Sequence, residues 1–279
     1  MGSENLLTKE NFGEYAEIDK RPLTEEEIAS TKYAKFYDYP IADPSEELLR
    51  ALLPGNEIDA AQSLTPMEYS NLFHPDMELC ENGYCVRPEG FGFSAVDIKY
   101  PGVTPEMFRW FSQWYTMNPV HYMIWLPKFH VNASAMISDE DLGWGVKKFD
   151  KVAGPPCTLE TFGVENPNEL DPTFFMLIGG NMHIYDLDGS DKDRPVKMTM
   201  INYFRHYDGG IENRIRVWMG IHYINGEIVH EDAATPVPLL ERTRMMACHN
   251  AWEWSRCAAM LPDLYQYAIE IGDVKPEQG

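Results

Sequence analysis

Basic residues are scarce in this chain: 23 Lys and Arg stand against 44 Asp and Glu, a formal net charge of −21 at pH 7. A surface this acidic repels phosphate backbones, so nucleic acid is excluded as an expected partner. Long apolar runs are also missing. No stretch approaches the about 20 residues that a membrane span needs, so no membrane partner is expected. The opening MGSENLLTKENFGEY has no basic segment followed by an apolar one. No signal peptide is therefore expected, and the expected compartment is the cytoplasm. Gly2 is a poor acylation site, because Leu6 stands where Ser or Thr is wanted. Cysteines number five: Cys80, Cys85, Cys157, Cys248 and Cys257. The odd count argues for reduced thiols over a disulfide framework, and Cys80 with Cys85 lacks the second pair of a zinc ribbon.

What is present is material for a core. Of 279 residues, 44% are hydrophobic and 13% aromatic, which suits one large globular domain, with or without an arm. Residues 1–95 read as helical fragments joined by proline-rich links. LTEEEIASTKYAKF has an acidic first turn with Thr24 as N-cap. DPSEELLRALLPG is capped by Asp43 or Ser45 and stopped by Pro54-Gly55, and LTPMEYSNLFHPD is broken by Pro66 and Pro75. The expectation is an N-terminal helical arm over 1–95, serving dimerisation, and a catalytic domain over 96–279.

Within the second part, TPEMFRWFSQWYTM reads as a helix with Thr104 as cap and Pro105 at its first position. Four strand-like runs follow: TFFMLIGGNMHIYDL, PVKMTMINYFRHY, IENRIRVWMGIHYI and EIVHEDA. Asn225-Gly226 is the strongest hairpin signal, and the imperfect alternation of RIRVWMGIHYI suggests a bulge. From Pro238 to Ile271 runs the longest helical pattern, with a break expected at Pro262. The expected fold class is α+β: a curved antiparallel sheet laid on a long C-terminal helix, leaving a cavity between the layers.

That helix carries HNAWEWSR. His249 and Glu253 are four apart, so they stand about 40° apart on the helix and aim at one point. Met245, Trp252 and Met260 flank them, so the pair is expected to face inward. A buried carboxylate needs a partner: a hydrogen-bonded histidine, an arginine such as Arg256, or a metal. Spacing alone leaves these open. HYMIWLPKFHVN adds His121 and His130, and TLETFG adds Glu160. Imidazole and carboxylate together suit zinc, and also manganese or iron.

In order and spacing, HYMIWLPKFH, the glutamate of CTLETFG, RHYDGGIENRIRVWMG and HNAWEWSR resemble the 2,4-diacetylphloroglucinol hydrolase and phloretin hydrolase family of carbon–carbon bond hydrolases. The resemblance implies a helix-grip (START-like) domain, an N-terminal helical dimerisation region and hence a homodimer. It implies one zinc ion held by His130, Glu160, His249 and Glu253. His121 stands where the family often has an arginine, and is expected behind the metal ligands or against the substrate. The implied reaction removes an acyl group from a polyphenol ring by hydrolysis. An aryl carbanion is too basic to leave, so the ring must first take a proton at the acylated carbon. The bond then breaks with an enolate leaving. Zinc supplies the Lewis acid. Glu160 is expected to loosen and act as base, and His206, in NYFRHYDGG, to deliver the ring proton. Tyr122 is expected as a catalytic hydroxyl, with His121, Asn132 and Tyr223 holding substrate oxygens. Asp208, Arg214 and Arg216 are read as pairing across a hairpin. The expected substrate is an acylated polyphenol, phloretin ahead of 2,4-diacetylphloroglucinol. Two other readings are a carrier of polyphenol or lipid without chemistry, against which inward-facing His249 and Glu253 would tell, and a metal-dependent cyclase or decarboxylase.

Overall fold

Helices begin where the sequence offers caps. Thr24 and Glu27 close a capping box on α1 (Glu25–Ala29), and the Ser45 side chain caps α2 (Glu46–Ala51). Thr104 accepts from the Met107 amide at the head of α3 (Pro105–Thr116), and Asn118 caps α4 (Pro119–Trp125). These come from a computed structural model, which describes residues 23–74, 76–116, 118–127, 130, 171–184, 196–231 and 237–274. Glu160 and Asn132 lie outside the described residues.

The C-terminal helix α5 spans Leu239–Glu270 without interruption, with Pro262 inside it. The expected break does not occur. Proline in a helix interior costs about 3 kcal/mol. Around it Met260, Leu261 and Leu264 are fully buried, and each such side chain contributes about 1.5–3 kcal/mol. Packing therefore outweighs the lost hydrogen bond. Among the described residues no helix is long and apolar enough to cross a membrane.

Five antiparallel strands form the main sheet, in the order β1-β2-β5-β4-β3. They are β1 (Gly83–Val86), β2 (Gly92–Pro101), β3 (Phe174–Ile184), β4 (Val196–Tyr207) and β5 (Gly210–Met219). The irregular RIRVWMGIHYI is cut at Gly220, whose φ of 87° favours glycine. After it, β6 (Ile221–Ile224) pairs with β7 (Glu227–His230) across the expected Asn225-Gly226 turn, both residues at positive φ. The sheet thus starts at Gly83, earlier than the expected boundary at 95, and β2 lies between β1 and β5 inside it.

Alternation assigns the two faces. Val96, Ile98, Tyr100, Ile211, Ile215 and Val217 join α3, α4 and α5 in one core. Phe93, Ala95, Tyr203 and Trp218 belong to a second core, under residues 58–80. Helix α5 approaches the sheet so closely at Gly92 that a Cβ there would collide with the Thr243 hydroxyl. The described part of the N-terminal segment packs on its own chain. Thr31 meets His121 at 2.8 Å, Tyr33 and Lys32 bind Asp273, and the Tyr39 hydroxyl reaches Ala259 O and Asp263.

Candidate metal centre

The middle of α5 is buried from Ala247 through Cys257 except at His249, whose side chain is 14% exposed, so the polar side chains buried there must find partners inside the protein. His249 and Glu253 do so as a pair, His249 Nε2 lying 3.6 Å from Glu253 Oε2. The second histidine comes from beyond the end of α4. His130 Nε2 stands 3.1 Å from Glu253 Oε1, and its ring centroid is 5.5 Å from that of His249. One donor atom from each residue lies within 4.8 Å of the other two.

The tautomer of His130 is set by its other nitrogen. Nδ1 lies 2.9 Å from the Tyr122 carbonyl and donates to it, leaving a lone pair on Nε2, which is buried and has no hydrogen-bond partner among the described residues. A lone pair 3.1 Å from a carboxylate oxygen requires a proton or a cation at that point. Tyr122 lies flat against the imidazole, centroids 3.7 Å apart, and the Trp125 indole donates to the Glu253 carbonyl at 3.0 Å. A carbonyl fixing the far nitrogen of a ligating histidine is the usual outer support of a metal site.

Burial decides the charges. It pushes His130 down to about 3. It takes His249 down to about 4 although Glu253 opposes it. It pushes Glu253 up to about 7, only partly countered by His249. The imidazoles are therefore neutral donors, and the carboxylate lacks a compensating cation. Two imidazole nitrogens and one carboxylate oxygen make a borderline donor set suited to zinc, and ligands on a tetrahedral zinc lie about 3.3 Å apart, close to the two separations above. The residues present fit that ion.

Three phenols surround Glu253. Tyr122, Tyr115 and Tyr100 are buried, and burial, reinforced by the charge on Glu253, keeps all three hydroxyls protonated. Tyr100 projects from β2 beside Asn213. It is absent from the expected site because residues before 95 read as an arm. Alternation along VDIKYP would have placed it on the helix-facing side. Tyr115 reads in the sequence as one apolar position of α3.

The remaining expected residues are spread more widely. His206 ends β4, exposed, on the same face as Phe204, its ring 5.5 Å from Phe175. His121 has both ring nitrogens engaged, by Thr31 and the Trp114 carbonyl, and stacks on Trp114 at 4.4 Å. Tyr223 is buried in the second core, on the far face of the sheet. Arg256, the alternative partner for Glu253, makes no ion pair among the described residues; its guanidinium goes to backbone carbonyls. Arg214 and Arg216 pair not across their hairpin but with Glu81, from the loop before β1.

Known proteins match the sequence along most of its length. The DAPG hydrolase PhiG domain family matches residues 64–166 and 179–266, a span that includes His130, Glu160, His249 and Glu253. A 2,4-diacetylphloroglucinol hydrolase of Pseudomonas sp. is 23% identical over 267 residues, covering 86% of this chain and 89% of the relative. A second, of Pseudomonas protegens, is 22% identical over 267 residues, covering 86% and 85%. Phloretin hydrolase of Eubacterium ramulus is 26% identical over 263 residues, covering 86% and 91%. The chain belongs to the DAPG hydrolase PhiG domain family and is a hydrolase of the carbon–carbon bond class.

Proposed function

We propose that this enzyme is a zinc-dependent hydrolase of acylated phloroglucinols, with phloretin as first substrate. It would be cleaved to phloroglucinol and 3-(4-hydroxyphenyl)propionate. The observation that carries the reading is the buried His130–His249–Glu253 group, two neutral imidazoles and a carboxylate that wants a cation. Glu160 is the proposed fourth ligand. A zinc ion held by these residues would supply Lewis-acid polarisation of an oxygen.

The protein's own groups then have three tasks. The ring must gain a proton at the acylated carbon before the bond to the acyl carbon breaks, the acyl carbon must gain hydroxide from water, and the ring oxygen must be held as the departing ring becomes an enolate. His206, on the helix-facing side at the rim of the sheet, is the proposed carrier of the ring proton. Tyr122, kept neutral beside Glu253, is the proposed donor to a ring oxygen as it becomes an enolate. Asn132 and His121 are proposed as further substrate contacts; Tyr223, buried on the far face of the sheet, is not. The aromatics around the centre, Trp125 against Trp254 at 4.7 Å and Tyr115 against Trp125 at 4.6 Å, would shield it from bulk solvent while the reacting water enters with the substrate.

The test is to compare kcat/KM for phloretin, 2,4-diacetylphloroglucinol and an analogue lacking one ring hydroxyl. Equal turnover of the analogue would refute the tautomer mechanism. A preference for the diacetyl compound would refute only the choice of substrate. A polyphenol that binds and returns unchanged would favour a carrier.

A further inference from the structure

Arg256 is a fully buried side chain on the same helix as Glu253, one turn further on. Its five hydrogen bonds all go to backbone carbonyls. Nε donates to Trp125 O at 2.7 Å, and Nη2 to Phe36 O at 2.9 Å and to Tyr37 O and Ile124 O at 3.3 Å. Nη1 donates to Tyr39 O. Burying a guanidinium without a carboxylate is costly, and an apolar side chain of similar volume would fill the space without that cost. What the guanidinium adds is a planar fork that joins three segments at fixed angles: the middle of α5, the end of α4 and residues 36–39.

Those segments are the ones that fix the centre. His130 hangs from the last turn of α4, its amide 3.0 Å from Leu126 O and its Nδ1 2.9 Å from Tyr122 O. The other two donors stand on α5. Trp125, whose carbonyl Arg256 holds, returns its indole N–H to the Glu253 carbonyl. Residues 31–39 form a strap tied down on both sides, by Thr31 to His121 and by Tyr39 to Ala259 and Asp263.

We propose that Arg256 is a positioning residue of the metal centre: by binding the end of α4 and the 36–39 strap to α5, it fixes where His130 stands relative to His249 and Glu253. The N-terminal segment is then part of the centre's construction, although it supplies no ligand. The proposal rests on the reading that these three residues hold a metal.

Co²⁺ titration of the metal-free protein tests it, with affinity read by competition against a chromophoric chelator, geometry by the visible absorption bands, and folding by circular dichroism and Tm. Arg256→Lys keeps the charge but loses the fork. It should lower Co²⁺ affinity by about tenfold or more, as loss of outer support does at metal sites, and change the bands. Thr31→Val/Tyr39→Phe loosens the strap without touching Arg256 or the core. It should shift both readouts in the same direction by less. A merely structural Arg256 would lower Tm and leave the bands alone. Wild-type affinity and spectrum in both variants would overturn the proposal. If Arg256→Lys does not fold, the strap variant decides alone, unchanged readouts overturning the proposal and shifted ones supporting it. A wild type that takes up no Co²⁺ overturns the metal reading and this proposal together, whereas binding that the variants share equally overturns this proposal only.

Discussion

On the outer face of the sheet Arg214 and Arg216 both reach Glu81, at 2.5 and 2.9 Å, and Arg205 reaches Glu212 at 2.5 Å. On the helix-facing side, among the described residues, Glu253 meets two imidazoles and forms no ion pair with Lys or Arg. Burial raises the pKa of both Glu81 and Glu253. At Glu81 the two arginines outweigh it and hold the carboxyl below its ordinary value; at Glu253 nothing does, and the group rises to about 7. Arg256, one turn further along α5, is committed to backbone carbonyls. A buried acid whose charge is matched in place is part of the scaffold, whereas one left unmatched marks a site that needs an ion.

Removing the acid from each cluster should therefore have opposite consequences. Glu253→Gln is expected to lower metal affinity by more than about 100-fold, beyond the loss from outer supports, and to abolish hydrolysis while Tm stays close to wild type. Metal analysis and a melting curve check it; a Gln variant that retains stoichiometric metal would erase the distinction between the faces. Glu81→Gln should do the reverse. It strands two buried arginines, at about 1–3 kcal/mol in urea unfolding. That is below the loss for a fully buried pair, because the Glu81 side chain is 37% exposed. Its metal stoichiometry should be unchanged.

Titration sharpens the contrast. With His130 and His249 held down to about 3 and 4, both are neutral well below pH 7. Glu253 is the group that must lose a proton for the metal to bind. Apparent affinity should rise about tenfold per pH unit between pH 5 and 6 and flatten above its pKa. The folded-state pKa of Glu253 lies above its unfolded value, so its contribution to metal-free stability is full below pH 4.5 and lost as pH rises through about 7. Added metal should accordingly stabilise the protein more at pH 8 than at pH 5. Chelator competition and melting curves at both pH values test this, and a pH-independent affinity would contradict it.

The smallest effect is expected at Asp97, the exception on the outer face. Burial and the charges on Glu212 and Glu81 push it up to about 7. Its contribution is likewise lost as pH rises through that value. Asp97→Asn should therefore be near neutral at pH 5 and raise Tm by a small amount at pH 8; destabilisation at pH 8 would show that Asp97 is matched after all.

Local chemistry was legible and distant pairing was not. The caps at Thr24, Ser45 and Thr104, the Asn225-Gly226 turn and the His249–Glu253 pair all follow from spacings of four residues or fewer. The β1–β2 hairpin escaped because the first half of β2 is covered on both faces, by α5 and by residues 58–80, so its burial does not alternate from Gly92 to Val96 and a period of two shows only from Val96 to Pro101. Tyr100 was overlooked with it. Glu81 stands 133 residues before its partner Arg214, a separation that no sequence pattern reports. His130 was offered beside His121 by the aromatic-rich HYMIWLPKFHVN, but only the resemblance singled it out as a ligand, since it lies on no regular element and meets α5 only in the fold.

The most direct test of the account is metal content of the purified enzyme together with chelation and reconstitution, using phloretin hydrolysis as the readout. One zinc per chain, activity lost on chelation and restored by added Zn²⁺, is the predicted result. Full hydrolytic activity in protein shown to be free of metal would contradict it.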